Sequence, residues 1–171
     1  MKKVLFFSMS LFLFSACKTD KEIQVEKIVT SIEASGLTRF LNIEYSPSEK
    51  TEKYNYYRND SLLTSWNYNL SSSKFENYDK TKMKIFTSDT EKFMKSLRDK
   101  IKSTPVVLIT QTEWTGKVVD FWMSDTEIIS YVDPTVKCDS ACTVSLADEL
   151  RNYSKIKDNW YYRKLIVCTN K

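Results

Sequence analysis

The chain has 171 residues, with 26 basic and 22 acidic side chains and a formal net charge of +4. This charge is small and interspersed along the chain, which argues against nucleic acid or anionic lipid as a partner. The sequence has no histidine, so the usual general base of enzymes is missing, and its two glycines exclude a glycine-rich phosphate loop. We therefore expect no cofactor, and an enzyme is the least favoured class.

The N-terminal segment has the pattern of a secretory signal. Two lysines follow Met1, and the apolar run at 4–14 is shorter than the roughly 20 residues that span a membrane. The small pair Ser15-Ala16 then precedes Cys17. This segment resembles the lipobox of bacterial lipoproteins, in which an aliphatic residue and two small residues precede a cysteine. Phe14 stands where that pattern usually has leucine.

The resemblance implies cleavage before Cys17, a diacylglycerol on its sulfur and an acyl chain on the new amino group. Two or three chains on one residue would anchor the protein stably in a membrane of the bacterial cell envelope. Lys18 follows, rather than the aspartate of an inner-membrane retention signal, so the resemblance implies the outer membrane. An ordinary signal peptide is the alternative. We expect a signal peptide at 1–16, a lipidated cysteine and tether at 17–22, and one domain at 23–171.

Three cysteines remain in the mature chain besides Cys17, namely Cys138, Cys142 and Cys168. Export permits disulfides, and the odd count allows at most one internal bond. Cys138 and Cys142 could close a short loop, or Cys168 could pair with either of them. A structural disulfide that involves Cys142 is favoured over a metal or redox site, because the paired spacing of zinc ligands is missing.

The first half of the mature chain is predicted to be mainly strands. The opening segment at 23–35 is ambiguous: its apolar residues have helical spacing before Gly36, but several are β-branched and suit a strand. Apolar and polar residues then alternate with a period of two. This alternation predicts strands at 41–45, 53–58 and 62–70, a loop at 71–80 and a short strand at 82–87.

The second half begins with a helix. Ser88 and Glu91 form a capping-box signature, apolar residues recur every fourth position, and Pro105 ends the helix. The run at 106–109 is apolar at every position, which predicts a central strand covered on both faces. Further strands are predicted at 117–123, 126–132 and 160–168, and a second helix at 145–154. The fold class is α+β, a mainly antiparallel sheet of about six to eight strands packed by two or three helices.

Candidate functional residues are few. The strands predicted at 106–109, 117–123 and 126–132 would form a three-strand meander. Three carboxylates lie around it, Glu113, Asp120 and Asp125, and they are interpreted as solvated strand ends and turns rather than as catalytic groups. Tyr56, Tyr57 and Trp66 are the candidate binding surface, since consecutive aromatics in a strand must turn one ring outward. The competing interpretation is that these rings fill the core.

Two hypotheses about function follow. The first is a lipid-anchored, non-enzymatic envelope module that binds another protein, as an assembly factor, an inhibitor or an immunity protein does. The second is a lipid-anchored module that binds glycans through Tyr56, Tyr57 and Trp66. A contiguous aromatic groove would favour the glycan, and a flat apolar patch with a charged rim would favour the protein partner.

Overall fold

One antiparallel sheet lies at the centre of the structure, a computed structural model that describes residues 19–58, 61–77, 88–111, 118–135 and 139–165. In these ranges the sheet has nine strands and is accompanied by three α-helices. The predicted α+β class is thus confirmed, with slightly more strands than expected. The three-strand meander predicted after the central helix is also present.

The helices and strands follow one another in an order that repeats a helix followed by a run of strands. The elements are α1 Asp20–Ser35, β1 Ile43–Pro47, β2 Thr51–Arg58, β3 Ser61–Asn69, β4 Lys74–Asn77, α2 Ser88–Lys102, β5 Leu108–Gln111, β6 Val118–Trp122, β7 Glu127–Val132, α3 Ser140–Glu149, β8 Ser154–Lys157 and β9 Trp160–Lys164. The strand order across the sheet is β4-β3-β2-β1-β5-β6-β7-β9-β8. The strands β1 and β5 therefore join the two runs at the middle of the sheet.

Helix α1 occupies the segment whose pattern was ambiguous. It begins with a capping box, in which the Glu22 N–H donates to Thr19 Oγ1 at 3.3 Å and the Glu22 carboxylate accepts from the Thr19 N–H at 2.6 Å. Gly36, with φ of 73°, ends the helix in the left-handed region. Residues 20–22, which were expected in the tether, belong to this helix.

The core lies between the sheet and the two helices α1 and α2. Their buried faces and the facing side of the sheet form one apolar cluster. Its most deeply buried members include Val29, Ile32, Met94, Leu97 and Ile101 from the helices, and Tyr45, Tyr54, Phe121, Ile129 and Trp160 from the strands.

Strand β5 is central in the sheet, but the prediction that both of its faces are covered was wrong. Val106 and Ile109 are buried, whereas Val107 is 44% exposed. The reason is that the strand itself begins only at Leu108, and α1 and α2 lie on one side of the sheet. Leu108 and Thr110, on the other side, are half-buried.

Other element boundaries differ from the sequence patterns. Strand β4 lies within the stretch expected as a loop, and β8 was not predicted. Helix α3 begins at Ser140, five residues earlier than expected, because Asp139 caps it by accepting from the Cys142 N–H at 2.8 Å. The strand predicted at 82–87 lies outside the described residues, and so does the end of the strand predicted at 160–168.

Candidate binding site on the distal face of the sheet

The face of the sheet opposite α1 and α2, here called the distal face, carries a continuous row of polar side chains. The antiparallel register aligns neighbouring residues of adjacent strands across the sheet. The row contains Ser65, Asn55, Glu44, Thr110, Asp120 and Ser130, on β3, β2, β1, β5, β6 and β7 in that order. Strands lie about 4.8 Å apart, so this row is roughly 24 Å long.

One half of the row is a hydrogen-bonded network centred on Glu44. The Tyr57 hydroxyl donates to Glu44 Oε2 at 2.7 Å, and Asn55 Nδ2 donates to the same oxygen at 3.2 Å. Ser65 Oγ in turn donates to Asn55 Oδ1 at 2.7 Å. These bonds fix the orientation of four polar side chains on the distal face, and three of the four are half-buried.

The other half of the row contains Asp120, which accepts a hydrogen bond from the fully buried Ser130 at 2.5 Å. Burial raises the pKa of Asp120, and the charge of Glu149 acts in the same direction. The Ser130 hydrogen bond and Arg163 act to lower it. The interpretation of Asp120 as a solvated strand end was therefore wrong, because the end of α3 and the residues after it approach this part of the distal face.

Tyr153 follows α3 and completes this cluster. The Arg163 guanidinium lies 5.2 Å from the centre of the Tyr153 ring. Burial raises the pKa of the Tyr153 hydroxyl, and the nearby Asp120 carboxylate raises it further. The cluster thus combines one half-buried acid, one cation and two hydroxyl groups, which interact with one another.

A shallow groove of about 440 Å³ opens at the end of the distal face, beside the indole ring of Trp122. It is lined by Ser46, Pro47, Val107, Leu108, Trp122, Ser124 and Asp125. The Trp122 Nε1–H donates to Thr110 Oγ1 at 3.0 Å, which fixes the ring against the sheet. Val107 is exposed at the rim, and so is Asp125 in the turn between β6 and β7. We call this feature the Trp122 groove.

A fully buried carboxylate, Glu52, lies on the other side of the sheet, facing α2. Arg98 donates to both of its oxygens at 2.7 and 3.3 Å, Lys102 lies at 2.8 Å, and the Tyr54 hydroxyl donates at 2.9 Å. Burial acts to raise the pKa of Glu52, but these hydrogen bonds outweigh burial and the pKa is lowered. Glu52 is only 2% exposed, so this cluster holds α2 on the sheet rather than forming an accessible site.

The three aromatic residues predicted to form a binding surface do not share one face. Trp66 is 5% exposed and belongs to the core. Tyr56 faces the same side and packs against that core, whereas Tyr57 points to the distal face and contacts Glu44. Strand alternation separates Tyr56 from Tyr57, and only Tyr57 contributes to the distal face.

The cysteines are described only in part. Cys142, in α3, is disulfide-bonded. Cys138 and Cys168 lie outside the described residues, so the pairing partner of Cys142 stays a prediction. The single unpaired cysteine expected in the mature chain also stays a prediction. Cys17 and Glu113 also lie outside the described residues.

Within the part of the chain that the structure describes, no group of three acidic, cysteine or histidine residues could hold a metal ion. No described helix is long and apolar enough to cross a membrane.

Sequence reasoning did not single out Glu44, Asn55 or the Trp122 groove. The alternation in β3 contained part of the signal, because the side of that strand away from the core carries Ser65, Asn67 and Asn69. The register that aligns them with Glu44 and Thr110 is a property of strand pairing across the sheet. Compared with protein-family models, with curated proteins and with solved structures, the chain shows no match.

Proposed function

We propose that this protein is a lipid-anchored, non-enzymatic module of the bacterial cell envelope that binds another protein through the Trp122 groove. The anchor is supported by the lipobox-like sequence that ends at Cys17, and the outer membrane is its expected location. The binding role is supported by one observation above all. The groove combines the indole ring of Trp122, three apolar neighbours and the charge of Asp125. It opens on a sheet face whose residues Ser46, Lys53 and Glu76 are exposed.

The composition of the groove favours a protein segment as its ligand. Pro47, Val107 and Leu108 provide aliphatic contact area around Trp122, and Asp125 provides a charge at the edge. Aromatic anchors surrounded by aliphatic and polar groups are typical of protein interfaces. A stack of several coplanar aromatic rings, which would suit sugars, is not part of the groove lining.

Glycan binding is the second candidate, and the network around Glu44 supports it. A carboxylate, an amide and two hydroxyl groups lie in one row on the distal face, and such groups bind sugar hydroxyls. In that case, Tyr57 rather than Tyr56 or Trp66 would supply the aromatic contact. Loss of binding to purified cell-wall glycan on Asn55→Ala, with no effect of Val107→Asp, would favour this candidate.

The anchor is tested with Cys17→Ser. We expect this variant to remain unlipidated and to be absent from mature membrane fractions, because the thioether that carries the diacylglycerol cannot form. Detergent phase partitioning of cell fractions measures the outcome. If the variant partitions with the detergent phase as the wild type does, the anchor is wrong.

The binding surface is tested by photocrosslinking in intact cells. A benzophenone amino acid replaces Val107 in one strain and Val144 in another, since Val144 is a valine that is 62% exposed on α3, away from the groove. We expect a discrete crosslinked envelope protein from position 107 only. With the purified pair, Val107→Asp should weaken binding at least tenfold, which corresponds to about 1.4 kcal/mol, and Val144→Asp should not. Equal effects of both substitutions would contradict the proposal.

A further inference from the structure

We propose that the end of the molecule at the start of α1 lies within the headgroup layer of the phospholipid bilayer, which holds the sheet in one orientation on the membrane. This end is formed by Thr19, Lys21, Ser154 and Lys155, and we call it the anchor end. The inference rests on the lipid anchor proposed above, and it goes beyond that anchor by naming the protein surface that meets the lipid.

The first step is the length of chain between the lipid and the fold. The structure describes Thr19 as the N-cap of α1, only two residues after Cys17. Two residues span at most about 7 Å, even when fully extended. The headgroup region of a bilayer is about 5–8 Å thick on each side of the hydrocarbon core. A Cys17 that carries its acyl chains in the bilayer therefore keeps Thr19 at the level of the headgroups.

The second step is that α1 is fixed to the sheet and cannot move independently of it. Glu33 accepts a hydrogen bond from Trp160 Nε1 at 2.9 Å and from Lys157 Nζ at 2.7 Å. At the other end of the helix, Lys21 lies 3.3 Å from Glu127, and its ammonium group is 5.1 Å from the centre of the Tyr162 ring. A constraint on Thr19 is thus a constraint on the whole sheet.

The third step identifies the neighbours of the α1 N-terminus. A groove of about 280 Å³ lies between the first turns of α1 and the hairpin of β8 and β9. Ser154, Lys155 and Ile156 line it from the hairpin side. Ser154 and Lys155 are exposed, and Ile23 on α1 is 40% exposed. Lys21, Glu22 and Glu26 line the groove from the helix side. Charged groups of both signs beside a small apolar surface suit the headgroup level of a membrane, where phospholipids such as phosphatidylethanolamine carry both charges.

The opposite end of α1 provides an internal control. The helix has 16 residues, so its two ends are separated by about 24 Å. Lys92 lies beside Ala34 and Ser35 at that far end, and 81% of its side chain is exposed. Lys92 should therefore stand clear of the headgroups in the same molecule in which Lys155 contacts them.

The experiment compares lysine acetylation in the lipidated protein reconstituted into vesicles of phosphatidylethanolamine and phosphatidylglycerol. A matched variant carries a Gly-Ser linker between Lys18 and Thr19; about twelve such residues reach on the order of 20 Å. A membrane-impermeant acetylating reagent is applied, and the rate at each lysine is measured by mass spectrometry. We expect a several-fold loss of labelling at Lys21 and Lys155 in the native protein relative to the linker variant, and equal labelling of Lys92 in both.

The outcomes separate this inference from the anchor itself. Stable association with vesicles together with equal labelling of Lys155 in the two proteins would overturn the orientation and leave the anchor intact. Protection of Lys92 in place of Lys155 would also overturn it, because the molecule would then lie the other way up. Failure of the native protein to associate with vesicles would overturn both proposals.

Discussion

At the scale of single residues, the buried carboxylate Glu52 and the half-buried carboxylate Asp120 have opposite energetic roles. Glu52 is surrounded by two cations and a hydroxyl donor, and its pKa is lowered. Asp120 has one hydrogen-bond donor and lies beside a further acid, and burial raises its pKa. Both are acids on strands of the same sheet. Burial disfavours the charge of both, and only Glu52 has cationic partners, Arg98 and Lys102, close enough to outweigh it.

We expect Glu52→Gln to destabilise the protein by about 3 kcal/mol, the lower end of the range for broken buried ion pairs, because Lys102 is half exposed. The lowered pKa means that the stabilisation by Glu52 is complete above its ordinary value of 4.5 and is lost as pH falls through the lower, folded value. Urea denaturation at pH 7 and pH 3 measures both effects. In Glu91→Gln, which breaks an exposed pair with Lys95, the urea midpoint should hardly change, because solvent screens that pair. Similar losses in the two variants would contradict this account.

Asp120→Asn should leave the urea midpoint at pH 7 unchanged or raise it. Asparagine keeps an acceptor for Ser130 and removes a charge that burial disfavours. Because the folded pKa is raised, the wild type loses stability as pH rises through the ordinary value of 3.8 and the raised value. The variant lacks this loss, so its advantage should be larger at pH 7 than at pH 4. A marked destabilisation at pH 7 would mean that the ionised carboxylate stabilises the fold.

At the scale of elements, strand β5 shows how far an apolar run predicts burial. The run was correctly placed in the middle of the sheet, beside the residues of α2 that share its core. The prediction failed for Val107, because helices cover only one face of the sheet there. Val107 also precedes the strand, which begins at Leu108. An apolar run indicates that burying the strand would be favourable, but it does not specify which face is buried. That face is set by the positions of α1 and α2.

Three substitutions in this run test that assignment. Ile109→Ala should cost about 2–5 kcal/mol, as expected for a fully buried isoleucine. Val106→Ala should cost about 1.5–3 kcal/mol, and Val107→Ala less than about 0.5 kcal/mol, although both remove the same two methyl groups. Urea midpoints measure all three, with Lys95→Ala on the outer face of α2 as a further neutral control. Equal midpoints for the two valine variants would show that they are equally buried.

Elements with strong local signals could be predicted from the sequence, and those that depend on distant pairing could not. The capping-box signature and the apolar residues at every fourth position predicted α2. The alternation of apolar and polar residues predicted β3 to within one residue at each end. In contrast, β4 and β8 are short edge strands with little apolar pattern, and each is defined by its partner. The polar row on the distal face also depends on pairing between strands. Asn55 and Glu44 are neighbours because β1 pairs with β2, and the sequence around either residue does not specify that register.

At the scale of the whole molecule, the chain uses one arrangement twice. Helix α1 precedes β1 to β4, and helix α2 precedes β5, β6 and β7, with the last hairpin added at the edge. The two halves meet where β1 pairs with β5, and residues from both belong to one buried cluster. Among the described residues, the buried apolar side chains of both halves thus share this one cluster.

We therefore expect the two halves to unfold together. Hydrogen exchange followed by mass spectrometry, in increasing urea, should show peptides from β2 and from β7 losing protection at the same urea concentration. The physical reason is that opening either half exposes residues of the shared cluster. A range of urea in which β2 is unprotected and β7 remains protected would contradict this expectation.

The contact between Glu33 and Trp160 has a consequence for biogenesis. These residues lie 127 positions apart, and the chain is made from its N-terminus at about 5–20 residues per second. Helix α1 is therefore synthesised roughly 6–25 seconds before the hairpin that pairs with it. During that interval the apolar face of α1 has no completed surface to pack on, and a protein that shields it would prevent premature association. Among the described elements, the earliest helix is thus completed only by the latest hairpin.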